Sequence, residues 1–248
     1  MGSSTISLGL GLGGGKSATS SGSSGGGGAA YANLLSASFD GTDDFLNVNG
    51  LASHIVSMTD FSVSAWVKGT DGQGVFFRAA QSSTVHIGFY VWNNFLVTTI
   101  QGGGLTEGWD NGGVNISDGN WHHVVMTYTK TGTNASTALG YVDGNLRLTT
   151  NGTGTIQSGI DEAAIGRRPT GSGGGSINYA GLIDEVAIFD SVLSGSNVTT
   201  IYNSGAPADI SDLSPVAWYR MGDGTGDNDS GGGAPANSDT IGTVVNQG

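Results

Sequence analysis

From Tyr31 onward the chain is a succession of short runs in which apolar and polar residues alternate, separated by turn residues. In "FSVSAWVKG", Phe61, Val63, Ala65 and Val67 share one face and Ser62, Ser64, Trp66 and Lys68 the other. That period of two marks a half-buried strand. "STVHIGFYVW" and "NFLVTTIQ" make two more strands, joined at Asn93-Asn94, whose residue types suit a tight hairpin. "NWHHVVMTYTK" follows an Asp118-Gly119 turn, and "ALGYVDGNLRLTT" folds back around Asp143-Gly144-Asn145. "EAAIGRR", a glycine-rich loop at 171–175 and the strand in "GLIDEVAIFD" complete the series. There the period lengthens. "LSGSNVTTIYNSG" carries Ser194 as a candidate N-cap, Asn197 in the capping-box position, Val198, Ile201 and Tyr202 at helical spacing, and Gly205 as a stop. Many strands with one short helix near residues 195–204 predict an all-β, antiparallel sandwich with the helix over a sheet edge.

The first thirty residues differ. "ISLGLGLG" alternates leucine and glycine, and "GGGKSATSSGSSGGGG" has the composition of a flexible linker. Residues 1–30 are therefore expected to be a Gly/Ser-rich arm used for assembly or tethering, and residues 31–248 a single domain. "GLGGGKS" is not a phosphate loop, because Leu10 stands where the first glycine is required. The N-terminus lacks the basic segment of a secretory signal, and no apolar run approaches the roughly 18 residues of a membrane span.

Lysine and arginine total 8 against 20 acids, a net charge of −12. That balance excludes nucleic acid and an anionic membrane as expected partners and is compatible with cation binding. The absence of cysteine excludes disulfides, thiolate zinc sites and thiol catalysis.

"FDGTDDFLNV", "FSVSAWVKG", "WHHVVMTYT", "GYVDGNL", "AAIG" and "GLIDEVAIFDSVLS" stand in the order and spacing of one family. From about residue 36 to 205 the chain resembles the LamG-like, concanavalin A-like lectin/glucanase jelly roll. The resemblance implies a jelly-roll sandwich and, in function, anything from glycan binding and adhesion to glycoside hydrolysis. "PVAWYRMGDGTGDNDSGG" looks like the segment that usually opens this jelly roll, yet here it comes last. Residues 215–221 are accordingly expected to be a displaced closing strand, pairing within its own sandwich. The Leu-Gly arm and this ending also resemble LamG-containing structural proteins of marine bacteriophages.

Asp184 and Glu185 interrupt an apolar strand, and strict alternation sends them to opposite faces. Glucanases of the resembled family carry Glu-x-Asp-x-Glu on one strand; here Glu185 is followed by Ala187 and Phe189, so the pair needed for hydrolysis is missing. No catalytic residue is expected. Calcium is the implied cofactor: "FDGTDD" offers Asp40, Asp43 and Asp44 around Gly41, and the family places this loop near the Ile-Asp-Glu strand, so Asp184 or Glu185 would complete the site. A hydrogen-bonded brace of the Asp-Gly turn is the open alternative. His122 and His123 read as packed or hydrogen-bonded strand residues, and the acidic run "DGTGDNDSGGG" fails the EF-hand spacing and reads as a solvated loop.

For glycans, Trp92 with Asn93 and Asn94, and Trp109 with Glu107, Asp110 and Asn111, lie in or beside predicted loops. Arg167 and Arg168 are placed to meet a carboxylated sugar or to pair with the abundant acids. These features lead to two expectations. The first is a non-enzymatic structural or appendage protein on the surface of a virus particle, joined to copies of itself or to other virion proteins through residues 1–30 and contacting host glycans. The second is a glycan-binding adhesion module, secreted or on a cell surface.

Overall fold

The computed structural model describes residues 7–10, 31, 33–82, 85–102, 105–110, 112–133, 135–152, 159–168, 177–229 and 241–248. The rest of the arm, Asn111 and the glycine-rich loop at 171–175 lie outside the described residues. In chain order the elements are β1 (Ser7–Leu10), β2 (Leu35–Asp40), β3 (Leu46–Asn47), α1 (Ala52–Ser57), β4 (Asp60–Lys68) and β5 (Gln73–Ser82). They continue with β6 (Val85–Trp92), β7 (Phe95–Gly102), β8 (Leu105–Trp109), β9 (His122–Gly132), β10 (Ala135–Val142) and β11 (Asn145–Gly152). The last are β12 (Glu162–Ile165), β13 (Ala180–Phe189), α2 (Gly195–Tyr202), β14 (Ala217–Tyr219), β15 (Asn228–Asp229) and β16 (Ile241–Thr243).

A front sheet runs β1-β2-β13-β4-β9-β10-β11, with β14 also paired to β13, and a back sheet runs β3-β12-β5-β6-β7-β8. All pairings are antiparallel, and the two sheets form a jelly-roll sandwich. Phe61, Val63, Ala65 and Val67 of β4, with Val124, Met126 and Tyr128 of β9, form one core with Phe76, Phe77, Ile87, Phe89 and Leu96 of the back sheet. The alternation of β4 thus decides its inner face as expected. The hairpin between β6 and β7 turns at Asn93 and Asn94, both at positive φ (50° and 72°), the conformation a two-residue turn needs. β1 pairs with β2 of the same chain, Ser7 opposite Ser38 and Leu10 opposite Leu35.

Ser194 caps α2, its hydroxyl accepting from Asn197 N at 3.1 Å while Asn197 Oδ1 accepts from Ser194 N at 3.2 Å. The helix ends at Asn203 in the left-handed region, two residues before the predicted glycine stop, because asparagine tolerates that conformation. Its position also differs from the expected one. α2 lies over the outer face of the front sheet, where Val198 and Ile201 pack on Val125, Tyr141, Ala187 and Phe189, together with Trp218. This cover buries the polar side of β4: Tyr202 stacks on Trp66 with ring centroids 5.9 Å apart, and Ser62 Oγ donates to Ser191 O at 2.8 Å. Helix α1 is not announced by the sequence, being six residues long with no side-chain cap.

Candidate functional site

The back sheet turns one face to the core and the other outward. On β6, Ile87, Phe89 and Val91 point inward, so Tyr90 and Trp92 point out. The register carries the same outer face across the sheet. Trp109 of β8 lies opposite Val97 of β7, and Val97 opposite Tyr90; Glu107 lies opposite Thr99. On β5 a register shift between Val75 and Phe77 places both Phe76 and Phe77 in the core and leaves Arg78 outside, opposite Gly88. Arg78, Tyr90, Trp92, Glu107 and Trp109, with Val75, Arg168 and Ile177, line a cavity of about 300 Å³. A more open groove of about 620 Å³ continues past Glu107 and Trp109 across β8 to Arg147 and Asn151. Trp109 is therefore the ridge between them, 36% exposed. The Tyr90 hydroxyl accepts from Thr99 Oγ1 at 2.9 Å and donates to Glu107 Oε1 at 3.4 Å. Burial pushes its pKa up to about 12, so it stays a neutral donor at physiological pH.

Four of the sequence-predicted ligand residues, Trp92, Glu107, Trp109 and Arg168, meet in this cavity. The others do different work. Asn93 and Asn94 form the exposed turn, and the Asn94 backbone ties two loops, donating to Gly72 O and accepting from Ile116 N. Asp110 is buried, receiving Arg147 Nε and Val114 N, each at 3.2 Å. Arg167 lies over the Phe45 ring, 3.3 Å from its centroid. Sequence reasoning missed Arg78 and Tyr90. The signal for Arg78 was a single cation inside the apolar run "GVFFRAA", obscured by the bulge before it.

Asp184 and Glu185 form a second cluster. β2 pairs with Ala180–Ile183 along one edge of β13, β14 pairs with Val186–Ile188, and the two acids lie between. On the other edge, toward β4, the register shifts between Asp184 and Ala187, and Glu185 sits at φ 49°. This bulge overturns the opposite-face expectation. Ile183, Val186 and Ile188 face the core, so the extra residue leaves both acids on the outer side of the sheet. They are 0% and 5% exposed, and Asn33 Nδ2 donates to both, to Asp184 Oδ2 at 3.0 Å and Glu185 Oε1 at 2.7 Å. Glu185 also receives Trp218 Nε1 and Arg220 Nε at 2.5 and 3.3 Å. Burial, then the neighbouring Glu185 carboxylate, raises the pKa of Asp184 well above the usual range. Burial also raises that of Glu185, against the hydrogen bond from Tyr31, the Arg220 charge and the hydrogen bond from Trp218.

Asp40, Asp43 and Asp44 have carboxylate oxygens within 4.8 Å of one another, in a turn that Gly41 enters at φ 78°. Asp40 Oδ1 accepts from Thr42 N at 2.7 Å and Asp43 N at 3.3 Å, which holds its pKa below the usual value, and Asp44 Oδ2 accepts from Asp40 N at 2.9 Å. The five acids expected to share one metal are thus separated. This trio lies at the end of β2, where Asp40 is opposite Ala180, whereas Asp184 and Glu185 lie four and five residues further along β13, about 13–17 Å away at the usual rise per residue. Asp227, expected in a solvated loop, is instead buried and accepts from Gly222 N, Gly224 N and Val245 N. His122 is clamped between Asp143 Oδ2 (2.8 Å) and Asp118 Oδ1 (3.1 Å), and His123 is fully buried against Ser64 Oγ at 2.9 Å.

A laminin G family model, described as the concanavalin A-like lectin/glucanases superfamily, matches residues 40–199. The chain belongs to this superfamily. No curated protein sequence matches it. Among solved structures, the lectin-like domain is similar to domain 4 of AbnA, a GH43 extracellular arabinanase from Geobacillus stearothermophilus, in complex with arabinotriose. The two are 22% identical, with 71% of this chain and 82% of that one covered and a TM-score of 0.52. It is also similar to the Ruminococcus gnavus IT-sialidase CBM40 bound to α2,3-sialyllactose, at 11% identity over 67% of this chain and 95% of that one (TM-score 0.51). NanB sialidase from Streptococcus pneumoniae matches at 17% over 66% of this chain but 27% of its own length (TM-score 0.51). These likenesses show a shared lectin-like fold.

Proposed function

We propose that the protein is a non-catalytic carbohydrate-binding module whose ligand occupies the outer face of the back sheet. The observation that carries this reading is the convergence of Tyr90, Trp92 and the half-exposed Trp109 on one cavity that continues into an open groove. Flat aromatic rings offer apolar contact to sugar C–H faces, while Glu107 and the Tyr90 hydroxyl supply polar partners for ring hydroxyls. The cavity and groove together suit a chain of sugars, with Trp109 under the link between them. Two proteins of similar fold hold oligosaccharides, arabinotriose and α2,3-sialyllactose, which supports the reading in kind.

The placement of the carboxylates supports binding without hydrolysis. Glycosidases use a pair flanking the scissile bond. Glu107 is the single acid lining the cavity among the described residues, and Asp184 and Glu185 are buried in hydrogen bonds elsewhere. The module acts outside the cell or on the surface of a virus particle, and residues 1–30 tether it to copies of itself or to a larger assembly. The Gly/Ser composition from residue 11 to 30 supports the tether, while Ser7–Leu10 pairs with β2 of the same chain. The Asp40–Asp43–Asp44 turn serves as a structural calcium site, supported by its three convergent carboxylates.

The test is an oligosaccharide array with the full chain, followed by calorimetry on the hits with Trp109→Ala beside it. The variant should weaken binding at least tenfold, about 1.4 kcal/mol. An array without hits, or a hit that Trp109→Ala binds as well as the parent does, would remove this reading.

A further inference from the structure

Of the eight basic residues in the chain, two, Arg78 and Arg168, line the same cavity. Arg78 is 4% exposed, and its Nε has no hydrogen-bond partner among the described residues. No described carboxylate lies within ion-pair distance of it, while Arg147 and Arg220 each have one. Glu107, the acid in the cavity, is held by the Tyr90 hydroxyl. The sequence from 169 to 176, PTGSGGGS, which links Arg168 to Ile177, contains no acid either. Burial, and next the nearby Arg168 charge, bring the pKa of Arg78 down to about 10, which leaves it cationic at neutral pH. A protein of net charge −12 therefore keeps, in an aromatic-lined cavity, a buried guanidinium that no described carboxylate pairs with, beside a second cation. Burying such a charge without a partner is unfavourable, and no carboxylate among the described residues supplies one.

We propose that the cavity selects sugars bearing a carboxylate, such as sialic or uronic acids, with Arg78 as the buried anchor and Arg168 as the second cation. The inference rests on the carbohydrate-binding reading above. A planar carboxylate accepts two parallel hydrogen bonds from a guanidinium fork, and the Tyr90, Trp92 and Trp109 rings hold the sugar that carries it. A neutral sugar would leave Arg78 desolvated and unpaired, which is the source of discrimination.

The experiment is calorimetry on the full chain with 3′-sialyllactose, digalacturonic acid, the carboxyl-reduced form of each, lactose and 6-sulfogalactose. At least one carboxylated ligand should bind ten times more tightly than its reduced form. Arg78→Met should erase that difference, and Arg78→Lys should keep part of it. Trp109→Ala should weaken acid and reduced forms alike. Equal affinity for acid and reduced forms, with Trp109→Ala still weakening both, overturns the anionic selectivity and leaves the carbohydrate module standing. A preference for the sulfated sugar over every carboxylate also overturns it. Absence of binding to every sugar removes both readings. Thermal unfolding without ligand gives an independent check. Arg78→Met should match or exceed the parent in Tm, because it removes an unpaired charge; a clear fall would show that the protein itself holds Arg78 and would overturn the anchor role.

Discussion

The indole N–H of Trp218 donates to Oε2 of Glu185 at 2.5 Å. That bond joins β14 to the bulge of β13 at the point where one sheet edge passes from β2 to β14. Asn33 and Tyr31 reach the same carboxylates from the start of β2, so residues near both ends of the domain meet over one buried pair of acids.

This arrangement fixes a pH dependence. Both folded-state pKa values are raised, so the folded chain retains protons that the unfolded chain releases. The contribution of the pair is greatest below the unfolded value, near 4, and declines as pH rises through the folded values. Asp184→Asn, which cannot ionise, should flatten the fall in Tm between about pH 4.5 and 8 relative to the parent. Glu185→Gln should cost roughly 3 kcal/mol, because Arg220 loses its charged partner. Thermal unfolding across that range checks both, and an unchanged slope in Asp184→Asn would refute the buried-proton account.

His122 shifts in the same direction from the opposite cause. Burial alone would lower its pKa, but hydrogen bonds to Asp143 and Asp118 outweigh burial and raise it. Here the charged form is the one the fold favours. Its contribution is fully present below about pH 6.5, the unfolded value, and is lost as pH rises through the folded value. His122→Gln should therefore cost about 1–2 kcal/mol at pH 6, with the gap to the parent closing toward pH 9. Paired denaturant titrations at the two pH values measure the gap directly, and an equal gap at both would refute the charged clamp.

The calcium site proposed at the Asp40 turn predicts stabilisation by mass action. Calcium at a hundred times its dissociation constant should add about 2.7 kcal/mol, and chelation should lower Tm. Asp40→Ala should mimic chelation but also loses the backbone bonds to Thr42 and Asp43. Asp43→Asn separates the two effects, since it should abolish the calcium response and keep the turn. Identical melting curves with calcium and with chelator would leave these acids as a hydrogen-bonded brace.

Gly108 marks where the edges of the two sheets approach. A Cβ there would overlap Thr150 Oγ1 and stand 2.7 Å from Leu148 Cδ1 on β11. Gly108→Val should cost about 1–3 kcal/mol and, by displacing the adjacent Trp109, weaken sugar binding as well. Loss of stability with unchanged affinity would place the ligand away from Trp109.

Much of this was legible in the residues. Alternation in β4 and β9 marked the inner face, Asn93-Asn94 the hairpin, and Ser194 with Asn197 the helix start, because each depends on local backbone chemistry. The failures share a cause. The bulges at Val75–Phe77 and Asp184–Ala187 each add a residue and reverse the parity of the positions after it, and parity was the basis for siting Asp184 and Glu185. Trp92 and Trp109 were identifiable as loop-proximal aromatics. Their partner Arg78 was not, because the bulge before it hides which face of β5 it takes.

β14 reaches β13 only after all the other strands of the front sheet have been made. On the ribosome, then, the sandwich cannot close as it emerges. Until Trp218 leaves the exit tunnel, Glu185 lacks its indole donor and Val186–Ile188 lacks its edge partner, so the nascent sheet carries an open seam. Closing that seam waits for β14, and the buried acids are where β14 fastens.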